Sequence, residues 1–94
     1  MLEVPTPDEA KEAFENVKIL LEAMLQDRAV PRNIKSVAQK GIDELSREDE
    51  DATDAIMAAN VIYLLDDLTM DANIPFHSRT TIYRIMSILE KIKD

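Results

Sequence analysis

The chain contains no cysteine, which excludes a disulfide framework, an iron–sulfur cluster and a thiolate zinc site. Tryptophan is missing too, and aromatic residues make up only 4% of the chain, so any core is built from aliphatic side chains. A single glycine and a single histidine leave no glycine-rich phosphate cradle and no paired E-x-x-H helices of a carboxylate di-metal bundle. Eleven basic residues face nineteen acidic ones, a formal charge of −8 that repels a phosphate backbone over most of the surface. No run of eighteen apolar residues occurs, so no membrane contact is expected. The opening MLEVPTPDEA has neither a basic leader nor an apolar segment, and a cytoplasmic protein without a signal peptide is the expectation.

What remains is strongly helical in pattern. A chain of 94 residues suits one helical domain, residues 1–94, able to bury roughly 65% of its extended surface without staples. Thr6, Pro7 and Glu9 have the spacing of a capping box with proline in the first turn. They open a helix predicted over 7–27, with Ala10, Ala13, Phe14, Val17, Leu20, Leu21, Met24 and Leu25 on its inner face. A second helix is predicted over 31–45, with Ile34, Val37, Ala38, Ile42 and Leu45 inward. Gly41 lies inside it, a cost of about 1 kcal/mol relative to alanine that close packing can offset. The third is predicted over 50–71, behind the acids Glu48 to Asp51, which favour a helix amino end. The fourth, over 75–92, turns Ile82, Ile85, Met86, Leu89 and Ile92 inward.

The halves repeat. A shift of 44 positions pairs Asn16 with Asn60, Val17 with Val61, Leu20 with Leu64, Leu21 with Leu65, Asp27 with Asp71, Pro31 with Pro75 and Leu45 with Leu89. Repeat units of about 7–46 and 50–92 follow, each a helical hairpin whose connector reads D-x-x-[VI]-P. In that connector the aspartate accepts backbone N–H groups, the proline sets the next helix, and Val30 or Ile74 plugs the turn. A period of this size also fits open helical repeats, but two units fall short of the three such a superhelix needs. The fold class expected is therefore all-α, an antiparallel four-helix bundle built from two repeated helical hairpins.

Comparing the halves singles out the third helix. Beside its core face of Met57, Ala58, Val61, Leu64, Leu65 and Leu68 it carries a second apolar strip: Ala55, Ile56, Ala59, Ile62 and Tyr63. The equivalents in the first helix are Lys11, Glu12, Glu15, Lys18 and Ile19. Apolar area gains roughly 25 cal/mol per Å2 on leaving water. Either a second copy of the chain covers the strip, with Ala55 and Ala59 permitting close approach, or an asymmetric bundle buries it internally. Self-association as a homodimer is the leading expectation, with an unidentified protein partner also open. Asn60 interrupts the run, either as an interhelical hydrogen-bonding residue or at an exposed edge.

Residues 1–27 carry −5 and residues 28–42 carry +4. Arg28, Arg32, Lys35 and Lys40 form the local basic cluster, a contact for an acidic partner or polyanion. With Arg79 and Arg84 it supports the alternative of an accessory RNA-binding protein, although no base-stacking groups accompany it. His77 reads as an early-turn surface or capping residue. No nucleophile–base–acid arrangement, cofactor site or metal-ligand spacing is visible, so a non-enzymatic interaction or scaffold protein without cofactors is expected.

The segments DRAVPRNIKSVAQKGIDEL and ANVIYLLDDLTMDANIPFHSRT, with the aliphatic stretch that follows, resemble the archaeal uncharacterised protein family UPF0147 over about residues 12–92. The resemblance implies a small all-helical bundle in an archaeal cytosol and carries no catalytic residue or cofactor with it.

Overall fold

Thr6 opens the helical structure as its spacing predicts. Its Oγ1 accepts from the Glu9 N–H at 3.2 Å while Glu9 Oε1 accepts from the Thr6 N–H at 3.2 Å. In this computed structural model, which describes residues 5–93, four helices follow. They are α1 (Pro7–Gln26), α2 (Arg32–Leu45), α3 (Asp54–Leu68) and α4 (Phe76–Leu89). Met1 to Val4 and Asp94, the ends of the expected 1–94 domain, lie outside the described residues.

The apolar periodicity becomes one core. Phe14, Val17 and Leu21 of α1, Ile34 and Ala38 of α2, Met57, Val61 and Leu65 of α3, and Ile82, Ile85 and Leu89 of α4 are buried together. Helix α2 packs between α1 and α3, and α4 returns against both α3 and α1. That last contact closes the ring, so the architecture is an all-α four-helix bundle and not an open superhelix. Short connections make successive helices antiparallel.

Gly41 explains why α2 sits closest to its neighbours. A Cβ there would stand 3.1 Å from Leu21 Cδ1 and 3.6 Å from Val61 Cγ1, so the missing side chain admits core atoms from both flanking helices. At the positions 44 residues on from Ala38 and Gly41, α4 places Ile82 and Ile85, both fully buried. Larger side chains hold α4 farther out, and it packs less closely on α1 and α3 than α2 does.

Helix α3 is shorter than the 50–71 predicted. Its start is set by Thr53, whose Oγ1 accepts from the Ile56 N–H at 3.2 Å. The acids at 48–51 precede that cap in a turn where the Ala52 N–H bonds the Asp49 carbonyl. At the other end the N–H groups of Thr69 and Met70 bond Asp66 and Asp67 in i→i−3 fashion, which tightens and ends the helix. The regular part of α4 likewise stops at Leu89, before the predicted 92, where Lys91 and Ile92 make i→i−3 bonds.

Both proline connectors sit at one end of the bundle. Asp27 Oδ1 accepts from the Ala29 N–H, and Asp71 Oδ1 accepts from the Asn73 N–H, each at 2.8 Å. Val30 and Ile74 fill the core beneath, and Pro31 and Pro75 stand at the N-caps of α2 and α4. The second oxygen of each aspartate reaches the other hairpin. Asn33 Nδ2 donates to Asp71 Oδ2 at 3.1 Å, and His77 Nε2 pairs with Asp27 Oδ2 at 2.5 Å. At the opposite end Asn60 Nδ2 donates to Glu44 Oε2 at 2.9 Å, and Arg47 bridges Glu44 and Asp49. Those two carboxylates, Asp49 first, push the Arg47 guanidinium above its ordinary value. Asn60 is thus both exposed and interhelical, within its own chain.

Two outcomes test this packing. Gly41→Val forces a branched side chain between Leu21 and Val61 and should cost roughly 2–3 kcal/mol in urea denaturation; an unchanged midpoint would contradict the close approach. Asp27 is the pH test. The His77 hydrogen bond, then the Ala29 N–H, hold its carboxyl below the ordinary value of 3.8. A carboxyl whose pKa is lowered by folding stabilises the fold above its unfolded pKa, and that contribution disappears as pH falls through the folded value. Asp27→Asn keeps the local turn but loses the charge. The gap in denaturation midpoint between wild type and variant should therefore be clear at about pH 5 and shrink toward about pH 3. A gap independent of pH would remove the ionised Asp27 carboxylate from the account.

Candidate interaction surface

An α-helix in a ring of four has one face for the core, two flanks for its neighbours and one face for solvent. On α3 the core face is Met57, Ala58, Val61, Leu65 and Leu68. Asn60 marks the α2 flank through its bond to Glu44. The strip expected from sequence divides among the remaining directions. Ile56 is 45% exposed and Tyr63 75% exposed, seven residues apart on the solvent face, and Ala59 is exposed beside them. Ala55 and Ile62 are half-buried on the α4 flank, and Ile62 packs against the core of its own chain. Three of the five residues thus face water, and two share their burial with the bundle.

A groove of about 360 Å3 lies along that flank. Ala55, Ala59 and Ile62 form one wall and Leu89 and Ile92 the other, with Glu90 and Lys93 also lining it.

Helix α4 adds apolar surface that the reading of the third helix did not include. Phe76 is 82% and Tyr83 54% exposed, again seven residues apart on one stripe. Tyr83 lies one turn beyond Arg79, whose guanidinium donates to the Asp71 carbonyl just past α3. That stripe therefore leans toward α3, on the side away from His77 and α1. Met70, in the connector between them, is 86% exposed. Applying the 44-residue shift to these positions would have found them: Gln26, Arg32 and Gln39 correspond to Met70, Phe76 and Tyr83. Of the large apolar side chains exposed among the described residues, Ile19 alone belongs to the first hairpin.

Charge is divided across this face. Near the outward strip α3 carries Asp66 and Asp67 and no cation, whereas α4 carries Arg79 on its α3 side and no anion, with Arg84 seven residues beyond His77 and so on the α1 side. The basic cluster of the first hairpin is more dispersed. Arg28, Arg32 and Lys40 are exposed, while Lys35 is half-buried and near enough to Asp27 to favour its ionised form. Around α2 the directions of Arg32, Lys35 and Lys40 span roughly 140° at 3.6 residues per turn, so they do not form one narrow stripe. His77 is exposed and engaged by Asp27. Among the described residues no three His, Asp or Glu side chains are grouped to hold a metal ion, and no helix is long and apolar enough to cross a membrane.

Comparison with known proteins agrees with this architecture. The model of the uncharacterised protein family UPF0147 matches residues 2–92. A UPF0147 protein of Saccharolobus islandicus is 39% identical over 93 residues, covering 99% of this chain and all of its own. One from Methanothermobacter thermautotrophicus is 39% identical over 85 residues, covering 90% of this chain and 81% of its own. The crystal structure of a UPF0147 protein from Thermoplasma acidophilum superposes with a TM-score of 0.81 at 36% identity, over 92% of this chain and 99% of that one. A second crystal structure, of a protein of unknown function, gives 0.82 at 34% identity over 98% and 99%. The chain belongs to the UPF0147 family.

Proposed function

We propose that this member of the UPF0147 family is a non-enzymatic helical interaction module that self-associates as a homodimer through the outward face of α3. The observation that carries the reading is the exposure of Ile56, Ala59 and Tyr63 where the first helix has Glu12, Glu15 and Ile19. Acidic positions in one half have become apolar in the other, and leaving that strip in water forfeits roughly 25 cal/mol per Å2. A second copy is the partner that is always present at matching concentration, and a two-fold pair is the common solution.

The module is proposed to be one hairpin duplicated. Supporting this are the seven identities at a spacing of 44 and the matched connectors, in which Asp27 and Asp71 each accept from the residue two positions on. The cross-bonds are reciprocal as well, since Asn33 and His77 are themselves 44 apart and each meets the aspartate of the other half. A duplicated hairpin explains why the divergent positions, and not the shared ones, carry the added surface.

Sedimentation equilibrium from micromolar to near-millimolar concentration tests the proposal. The expected mass rises to twice the 10.7 kDa chain and persists at high salt, because screening weakens ion pairs but not apolar burial. Tyr63→Glu should weaken association about tenfold or more by placing an unpaired charge in the contact. Tyr63 is the better probe than Ile62, whose partial burial in its own chain would mix dimer loss with unfolding. A wild-type chain at monomer mass near millimolar would overturn the proposal.

A further inference from the structure

Area decides whether α3 can serve alone. A helix of 15 residues is about 22 Å long and roughly 10 Å wide. Packed on its copy it removes roughly 500 Å2 in total, half of the roughly 1,000 Å2 that a stable interface needs. Adding the stripe of α4 brings the face to that threshold, and Phe76 and Tyr83 give it aromatic anchors of the kind that dominate interface energetics.

Charge decides the orientation. Stacking α3 on the partner's α3 would set Asp66 and Asp67 against the same two carboxylates. Stacking α3 on the partner's α4 sets them near Arg79, which stands at a similar distance from the connector, and opposite potentials across a contact suppress the wrong register.

We infer that the homodimer is face to face about a two-fold axis parallel to the helices, so that α3 of each copy packs on α4 of the other. The inference rests on the self-association proposed above and adds its geometry. Tyr63 stands five residues before the end of α3 and Tyr83 seven after the start of α4, at similar distances from their shared connector. The axis therefore carries Tyr63 of one copy over the Tyr83 region of the other. Each tyrosine pair is formed twice, once on either side of the axis.

The native chain has no cysteine, so introduced thiols report this arrangement without background. Chains carrying Tyr63→Cys and chains carrying Tyr83→Cys are treated with a short bismaleimide, separately and as an equilibrated mixture. The mixture should yield at least about threefold more covalent dimer than either variant alone. A second pair, Asp67→Cys with Thr80→Cys, retains both tyrosines and should follow the same rule. Tyr63→Cys chains that link to one another as well as in the mixture would overturn the orientation, as would failure of both mixed pairs in a protein that sediments as a dimer. A monomeric wild type would remove the self-association itself, so the two failures are distinguishable.

Discussion

Apolar surface gains free energy on leaving water, and several large apolar side chains of this chain lie outside its four-helix core. The aliphatic stripes of all four helices meet in a single buried cluster, which accounts for the fold. Five large apolar side chains of the second hairpin, Ile56, Tyr63, Met70, Phe76 and Tyr83, remain outside it. The proposed function follows from that excess: a bundle whose interior is already filled has only its exterior left for burying them.

The same halves that look alike in sequence differ in how closely their second helices pack. Gly41 and Ala38 let α2 approach α1 and α3, whereas Ile82 and Ile85 hold α4 away. A groove runs between Ala59 and Leu89 on that side, and another lies between α1 and α2 beside Ile19 and Ile42. Interior volume and exterior apolarity thus belong to the same helix pair, while the first hairpin keeps a close-packed core and a largely polar surface.

Much of the bundle was legible in the sequence because helical periodicity and capping are local. Thr6 with Glu9, the inward residues of α1 and the buried Val30 and Ile74 all stand where their spacing put them. The start of α3 was misplaced because a run of acids resembles a helix amino end, while the cap is Thr53, two residues beyond the run. Ser78 was not foreseen as core. It is buried at 1% with no hydrogen-bond partner for its hydroxyl, and a serine in an early turn ordinarily reads as surface. The links Asn33–Asp71 and His77–Asp27 join residues 38 and 50 apart, and only the folded ring brings such pairs together. On the candidate surface the strip of α3 was visible, but which of its residues face water depended on where α4 settled. Phe76 and Tyr83 are two aromatics seven residues apart, too sparse a pattern for apolar periodicity to mark a second face of α4.

An amide NMR dilution series on the wild-type protein tests the central claim most directly, since it reports every surface at once. The account predicts concentration-dependent shifts at Ile56, Ala59, Tyr63, Phe76 and Tyr83, with the outward residues of α1 and α2 unchanged. Spectra that do not change with concentration, or that change along α1 and α2 instead, would contradict it.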